Sequence, residues 1–327
     1  MKKQFKNILI IDGSYMLHRS LHQKSLGELC AKDGHKTGGI YQFLSSVLHE
    51  LKINRSYFPV VVFDDGLSKR RVSIDPNYKH ANEREDVTVV TSEVISDDYV
   101  EEYRKQRGHL SVLLLYLGVP VIRIPEYEGD DLITLISRMS ENSIIVTDDK
   151  DMIQLVSETI SIRRPMAEQT IIYRNYLLDN NYESIKDFVI EKSIIGDPSD
   201  NIPSCCKGCS KGTVAGLRTL LKNCNFDLKT VSNGKKLKEK CSELGIKYRK
   251  AYLNFDMERY NKNVSLIDLS LVEDNTYVYD NIVASISNSK NETSYFKAMA
   301  EISKHDIIDI DIDYFISEVR KRFKMIS

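Results

Sequence analysis

No apolar stretch in this sequence approaches the ~18 residues that a membrane-spanning helix requires. The opening MKKQFKNILIIDG is basic and then apolar, as a signal peptide begins, but the apolar part runs only from Ile8 to Ile11 before Asp12 interrupts it. Cysteine is scarce, six in 327 residues, which excludes a disulfide-built scaffold. The cluster Cys205-Cys206-Lys207-Gly208-Cys209 invites a zinc site, yet only Cys224 and Cys241 follow and no paired histidine completes it. Reduced, structural thiols are the expectation. An excess of one charge is also lacking: 46 Lys+Arg against 47 Asp+Glu leave a net charge of −1, so the chain as a whole advertises no polyanionic partner. Neither a Walker-type phosphate loop nor a Ser-His-Asp or Cys-His arrangement appears. What remains is the profile of an intracellular, cytoplasmic globular protein, 42% hydrophobic and 28% charged, with length for two domains at about 150 residues each.

The first half alternates apolar runs with helical periodicities. Ile8 to Ile11, Val60 to Phe63, Val119 to Ile124 and Ile144 to Val146 read as buried strands, because unbroken apolar runs suit a parallel sheet covered on both faces. Helical spacing falls between them, over Ile40 to Leu51, Val112 to Leu117 and Leu132 to Met139. This alternation predicts an α/β layer fold with its site beyond the carboxyl ends of the strands. Gly66 to about Gly108 breaks the rhythm: it has no strand-like run and is too long for an ordinary connection. It holds Lys69, Arg70, Arg71, Lys79, Arg84, Arg104, Lys105 and Arg107 among Tyr78, Tyr99 and Tyr103, which reads as a mobile lid or arch over a polyanion, or as a solvated insertion. Charge is segregated further on. Residues 204–262 contain 14 Lys/Arg against five Asp/Glu, an excess that favours phosphate contact over a merely solvated face. From Asn263 the chain turns acidic and ends in a helical pattern, Ile312 to Phe323.

The acids fall at the strand ends. Asp12 closes the first strand and Asp64 the second; Glu128, Asp130 and Asp131 open a helix after the third; Asp149 and Asp151 follow the fourth; Asp197 and Asp200 come later in Ile-Gly-Asp-Pro-Ser-Asp-Asn-Ile-Pro. Any one of them is explained as a helix N-cap or a turn former. Four successive strand ends of the same chemistry are not. Converging on one edge, such anions repel by roughly 4 kcal/mol for a pair ~4 Å apart at an effective dielectric near 20. A cation must neutralise them, and hard carboxylate oxygens without His or Cys select Mg²⁺, with Mn²⁺ as substitute. Two such ions ~4 Å apart suit phosphodiester hydrolysis, one generating hydroxide and both stabilising the phosphate. The reading is a metal-dependent nuclease.

The segments Ile-Ile-Asp12-Gly-Ser-Tyr-Met-Leu-His-Arg19, Gly38-Gly39-Ile40-Tyr41-Gln-Phe43, Glu128-Gly-Asp130-Asp131, Thr147-Asp-Asp149-Lys-Asp151 and Ile-Gly-Asp197-Pro-Ser-Asp200 resemble, in order and spacing, the flap endonuclease / 5′-3′ exonuclease family. The likeness is to its phage members, of the ribonuclease H and 5′-nuclease types, and extends to the stretch Arg259 to Leu269. It implies a PIN-like parallel-sheet core over residues 1–190 with a helical arch at about 66–108. A helix–three-turn–helix DNA-binding module and a helical C-terminal region would fill 191–327. By resemblance, Asp12, Asp64, Glu128, Asp130 and Asp131 hold a first ion, and Asp149, Asp151, Asp197 and Asp200 a second, with Asp148 the extra acid in that motif. Arg19, Lys79 and Arg84 are the implied cations on the scissile phosphate, where charge builds in the transition state. Lys207, Gly208, Ser210, Lys211, Gly212 and Thr213 form the implied duplex-backbone contact. The family has a second glycine where Ser210 stands, which puts K⁺ binding there in question.

The activity implied is Mg²⁺-dependent structure-specific cleavage at 5′ ends and flaps of DNA or RNA–DNA hybrid, removing primers or flaps in phage replication, by a monomer. A single-strand-binding protein or sliding clamp is a candidate partner. Two alternatives stand beside it. A PIN-type endoribonuclease acting on single-stranded RNA shares the acidic core but has no need of the basic block. An inactive DNA-binding replication scaffold has no reason to keep mutually repelling acids.

Overall fold

Ile8 to Ile11 and Val60 to Phe63 are all 0% exposed. Successive strand residues point to opposite faces, so both faces of the sheet are covered at these positions. The computed structural model describes residues 4–23, 29–83, 97–206, 208–223 and 255–326. They form two compact units, Met1–Ser68 with Asp86–Asn175 and Val272–Ser327, and Lys69–Glu85 with Tyr176–Leu271. The boundary expected at 190/191 falls inside the second of these.

The first unit is built on a six-stranded sheet. The strands are β1 (Phe5–Asp12), β2 (Phe58–Val62), β3 (Val121–Ile122), β4 (Ser140–Val146), β5 (Ile160–Arg164) and β6 (Gln169–Ile171). Their order is β3-β2-β1-β4-β5-β6, parallel throughout except for the final β5–β6 pair. The four strands expected from the apolar runs are all present. The α/β fold with a parallel sheet and a helical C-terminal region is therefore as expected. β5 and β6 add an edge that the sequence hides, because Ser161, Arg163 and Arg164 break the apolar run.

Among the described residues, five α-helices precede β4: α1 (Gly13–Leu21), α2 (Gly38–Ile53), α3 (Lys69–Ile74), α4 (Asp97–Leu117) and α5 (Gly129–Met139). All but α3 belong to the first unit. Gly13 at the β1–α1 joint allows a close approach: a Cβ there would stand 2.8 Å from both Val61 Cγ1 and the Val62 carbonyl. Gly13→Ala is therefore expected to cost ~1–3 kcal/mol through overpacking, read as a lower denaturant midpoint; an unchanged midpoint would show that the strand gives way freely.

Along the second unit run α6 (Tyr173–Asn180), which begins in the first, α7 (Lys186–Ile195), α8 (Lys211–Asn223) and α9 (Met257–Ile267). Its core gathers Ile194, Leu217, Leu220 and Val264, all at most 6% exposed. Cys205 is a free, buried thiol whose pKa burial pushes up to about 12, as the expectation of reduced thiols has it. A tight turn brings the sulfurs of Cys206 and Cys209 together. Residues 224–254, and most of the basic block with them, lie outside the described residues.

The C-terminal helices α10 (Thr276–Glu292), α11 (Tyr295–Lys304) and α12 (Ile312–Arg322) return to the first unit. Arg322, 1% exposed, donates to the Leu51 carbonyl at 2.8 Å, and Arg138 donates to the Val272 carbonyl at 2.6 Å. Among the described residues, no helix is long and apolar enough to cross a membrane.

Between Gly66 and Gly108, the described residues are helical rather than strand-like. Residues 97–108 form the first half of α4, and Tyr103 and Arg107 on it are 2% and 5% exposed. That part of the expected lid is packed into the first unit.

Candidate active site

β1 lies between β2 and β4, so the chain leaves the sheet toward opposite sides across the β1–β4 seam. Such a switch in strand order opens a crevice beyond the carboxyl ends. Asp12, the last residue of β1, stands there as the N-cap of α1. Its Oδ1 accepts from the Tyr15 amide at 3.0 Å and its Oδ2 from the Thr147 hydroxyl at 2.9 Å. Burial raises its pKa to about 7, and the nearby charges of Asp64 and Asp149 push the same way against the two hydrogen bonds. Acids predicted from two other strand ends therefore act on Asp12.

Asp64, just beyond β2, is fixed from three directions. Its amide donates to Ser14 Oγ at 3.0 Å, its Oδ1 accepts from the Gly129 amide at 2.5 Å, and its carbonyl accepts from Arg107 at 3.2 Å. A Cβ on Gly129 would lie 3.1 Å from Asp64 Oδ1, so a glycine lets the start of α5 come close. Glu128 is the N-cap residue of α5, and Asp130 and Asp131 occupy its first turn. The positive end of the helix dipole eases negative charge at that place. Even so, Glu128 and Asp131 are each only 2% exposed.

After β4, Thr147 links two strand ends. Its hydroxyl donates to Asp12 and accepts from the Asp149 amide at 3.1 Å. Asp149 Oδ1 accepts from the Asp151 amide at 2.8 Å and caps the 3₁₀ turn Lys150–Leu155. Asp149 is exposed and Asp151 half-buried. Asp148 is placed differently. Its carboxylate accepts from Tyr15 Oη at 2.7 Å, Met166 N at 3.0 Å and Arg164 Nε at 3.1 Å, which commits it to holding the loop. Arg19, in the last turn of α1, is half-buried and makes no hydrogen bond or ion pair with the described residues.

In the second unit, Asp200 accepts from Tyr78 Oη at 3.1 Å and lies 3.6 Å from Lys79 Nζ. Asp197 pairs with Lys192 at 2.9 Å. Burial pushes the Asp197 pKa up, but the Ser199 hydrogen bonds and Lys192 outweigh it and hold the carboxyl below its usual range. Gly208 has a positive φ of 70°, which favours glycine. Ser210 Oγ accepts from the Thr213 amide at 3.3 Å, so this serine caps α8 where the family glycine was expected. Ser210, Lys211 and Gly212 are exposed and Thr213 is half-buried. Arg84 and Lys207 lie outside the described residues.

Sequence reasoning missed the wall of this crevice. His18 Nδ1 and Tyr99 Oη are 2.7 Å apart, and the His18 ring stacks on Tyr103 at 4.4 Å between centroids. Burial lowers the His18 pKa to about 4, against the opposing charge of Asp64, and burial followed by Asp64 raises that of Tyr103. Burial likewise lowers the pKa of Arg107, whose carbonyl contact anchors Asp64. The signal was available: Tyr99, Tyr103 and Arg107 recur at intervals of four, one face of a helix.

Residues 7–183, more than half of the chain, match the family described as 5′-3′ exonuclease, N-terminal resolvase-like domain. The chain belongs to the 5′-3′ exonuclease family. The 5′-3′ exonuclease of Aquifex aeolicus is 27% identical over 275 residues, which is 80% of this chain and 87% of that protein. DNA polymerase I of Streptococcus pneumoniae is 28% identical over 228 residues, 67% of this chain but only 24% of the polymerase. Among solved structures, T5 5′-exonuclease with bound divalent metal ions (zinc) superposes with a TM-score of 0.60 at 18% identity, over 98% of this chain and 100% of that one. T5 D15 flap endonuclease, as a pseudo-enzyme-product complex with DNA and metal ions, gives 0.59 at 18% identity with the same coverage. At that identity the likeness is one of fold. For this 5′-3′ exonuclease family chain, it covers the C-terminal helices as well as the sheet.

Proposed function

We propose that this chain hydrolyses phosphodiester bonds at 5′ ends and 5′ flaps of DNA or RNA–DNA hybrid by a two-metal-ion mechanism. Its role would be removal of RNA primers or flaps in phage DNA replication, in the host cytoplasm. The observation that carries the reading is the meeting of Asp12, Asp64 and Asp149 at the strand-order switch, where Asp12 is pushed to a pKa of about 7. The donor set fits a hard divalent cation: Asp12, Asp64, Glu128, Asp130, Asp131, Asp149 and Asp151 offer only carboxylate oxygen. The first five would hold one Mg²⁺, with Mn²⁺ as substitute, and Asp149 and Asp151 would serve the second. Asp197 and Asp200 are kept as ligands of that second ion on family resemblance alone. When bound, the ions supply a hydroxide nucleophile at neutral pH and offset charge on the phosphate.

The chain's own groups do the rest. Asp12 gives up its proton on loading, while Thr147 keeps its carboxylate aimed into the crevice. Arg19 is available to the scissile phosphate, and Lys79, with Arg84 beside it in sequence, is the second cation kept from the resemblance. The exposed start of α8, with Lys211 and Gly212, suits a phosphate of the duplex backbone. Support for a DNA substrate comes from the T5 D15 flap endonuclease, solved with DNA and metal ions.

The test is incubation with 5′-labelled flap, nicked duplex and RNA–DNA hybrid, with Mg²⁺ and with EDTA. Cleavage near the 5′ end in Mg²⁺ alone is the expected outcome. Cutting in EDTA, or cutting of single-stranded RNA with every duplex substrate left whole, would overturn the reading.

A further inference from the structure

A second polar cluster in the first unit takes no part in the carboxylate crevice. His35 comes from the short stretch closed by the Cys30–Lys36 bridge, His109 from α4, and Glu301 and His305 from the end of α11. His109 follows Arg107 by two positions and so lies on the other side of α4. His305 is 1% exposed, and its Nε2 is buried without a hydrogen-bond partner among the described residues. That nitrogen faces Glu301 Oε1 at 3.7 Å, and His109 Nδ1 lies 3.7 Å from the same oxygen.

The surrounding hydrogen bonds occupy the far side of His305. His35 Nδ1 donates to Asp33 Oδ1. His305 Nδ1 pairs with His35 Nε2 at 2.9 Å, which turns His305 Nε2 toward Glu301. Lys304 takes Glu301 Oε2 at 2.6 Å, leaving Oε1 turned to the two imidazoles. A buried imidazole nitrogen beside a carboxylate oxygen, with no hydrogen bond between them, is a polar pair that a cation at that place satisfies.

We propose that His109 Nδ1, Glu301 Oε1 and His305 Nε2 bind one Zn²⁺-class transition-metal ion, with Asp33 and His35 as the outer hydrogen-bond relay that orients His305. The three ligand atoms lie within 4.8 Å of one another. Ligands at ~2.1 Å from a tetrahedral zinc stand roughly 3.4 Å apart, so a small contraction completes the site. Two imidazoles with one carboxylate select Zn²⁺ or Co²⁺ over Mg²⁺. The fourth position is left to water on the side of His109, whose side chain is 44% exposed. Such an ion ties α4 to the end of α11. The proposal is independent of the nuclease reading.

The full chain, stripped with EDTA and dialysed, is titrated calorimetrically with Zn²⁺ and, separately, with Co²⁺ in the visible range. Wild type is expected to show the intense absorption of four-coordinate Co²⁺ and a rise in melting temperature with Zn²⁺. His109→Ala, at a partly exposed position, is expected to lose one equivalent of Zn²⁺ and that absorption while keeping its circular dichroism. Asp33→Asn is expected to weaken binding ~10–100-fold, the usual effect of removing an outer partner. Asp12→Asn is expected to keep the absorption, which separates this site from the carboxylate crevice. An unchanged Co²⁺ spectrum and zinc stoichiometry in His109→Ala would overturn the proposal, as would loss of the band in Asp12→Asn alone.

Discussion

Asp12→Asn is expected to lower 5′-end cleavage at least ~100-fold and, at neutral pH without divalent ions, to make the protein more stable than wild type. Both effects follow from the same carboxylate. Burial and the charges of Asp64 and Asp149 raise its pKa from an ordinary 3.8 to about 7. Between those values the folded chain binds a proton that the unfolded chain has released. Stability therefore falls as pH rises through that window and is lowest above it, by a few kcal/mol in order of magnitude. A divalent cation reverses the sign by favouring the ionised form. Melting temperature measured against pH should thus decline from about pH 4 to about pH 7 in EDTA and flatten in Mg²⁺. The asparagine variant should show neither the decline nor the rescue. A wild-type melting temperature indifferent to pH in EDTA would mean that burial and the neighbouring acids do not raise the Asp12 pKa.

The second large effect separates neighbours in sequence. Asp149→Ala with Asp151→Ala is expected to remove cleavage by ~10³-fold or more while duplex binding in a mobility-shift assay persists. Both side chains are at least partly exposed, so the stability cost should stay near the ~1 kcal/mol of a lost cap. Asp148→Ala should do the opposite. It strips Tyr15, Arg164 and the Met166 amide of their shared acceptor, which costs ~2–4 kcal/mol, yet cleavage at permissive temperature should stay within several-fold of wild type. If the two phenotypes were exchanged, the ligand assignment would move by one residue and Asp148 would be the catalytic acid.

The strands were legible because buried parallel strands need unbroken apolar runs, and Ile8 to Ile11 or Ile144 to Val146 admit little else. The acids were legible for a related reason: each interrupts such a run where the chain must leave the sheet. β5 and β6 escaped notice because Ser161, Arg163 and Arg164 interrupt the apolar run of β5, and β6 is a three-residue edge strand that is mostly exposed. The segment 97–108 read as a mobile lid because its charges dominate composition, whereas burial of Tyr103 and Arg107 depends on what α4 packs against. The ring contacts of His18 and the grouping of His35, His109 and His305 join residues far apart in the chain, and no local pattern marks them.

The order of apolar runs and the chemistry of the residues ending them were enough to determine an α/β chain with a carboxylate-rich edge, because both depend on local sequence. Which acid holds a loop was decided only by the tertiary structure. Asp148, Asp149 and Asp151 are chemically alike, but folding brings Tyr15 of α1 and Arg164 and Met166 of the β5–β6 hairpin to Asp148 alone, whereas the Asp149 carboxylate accepts from the Asp151 amide.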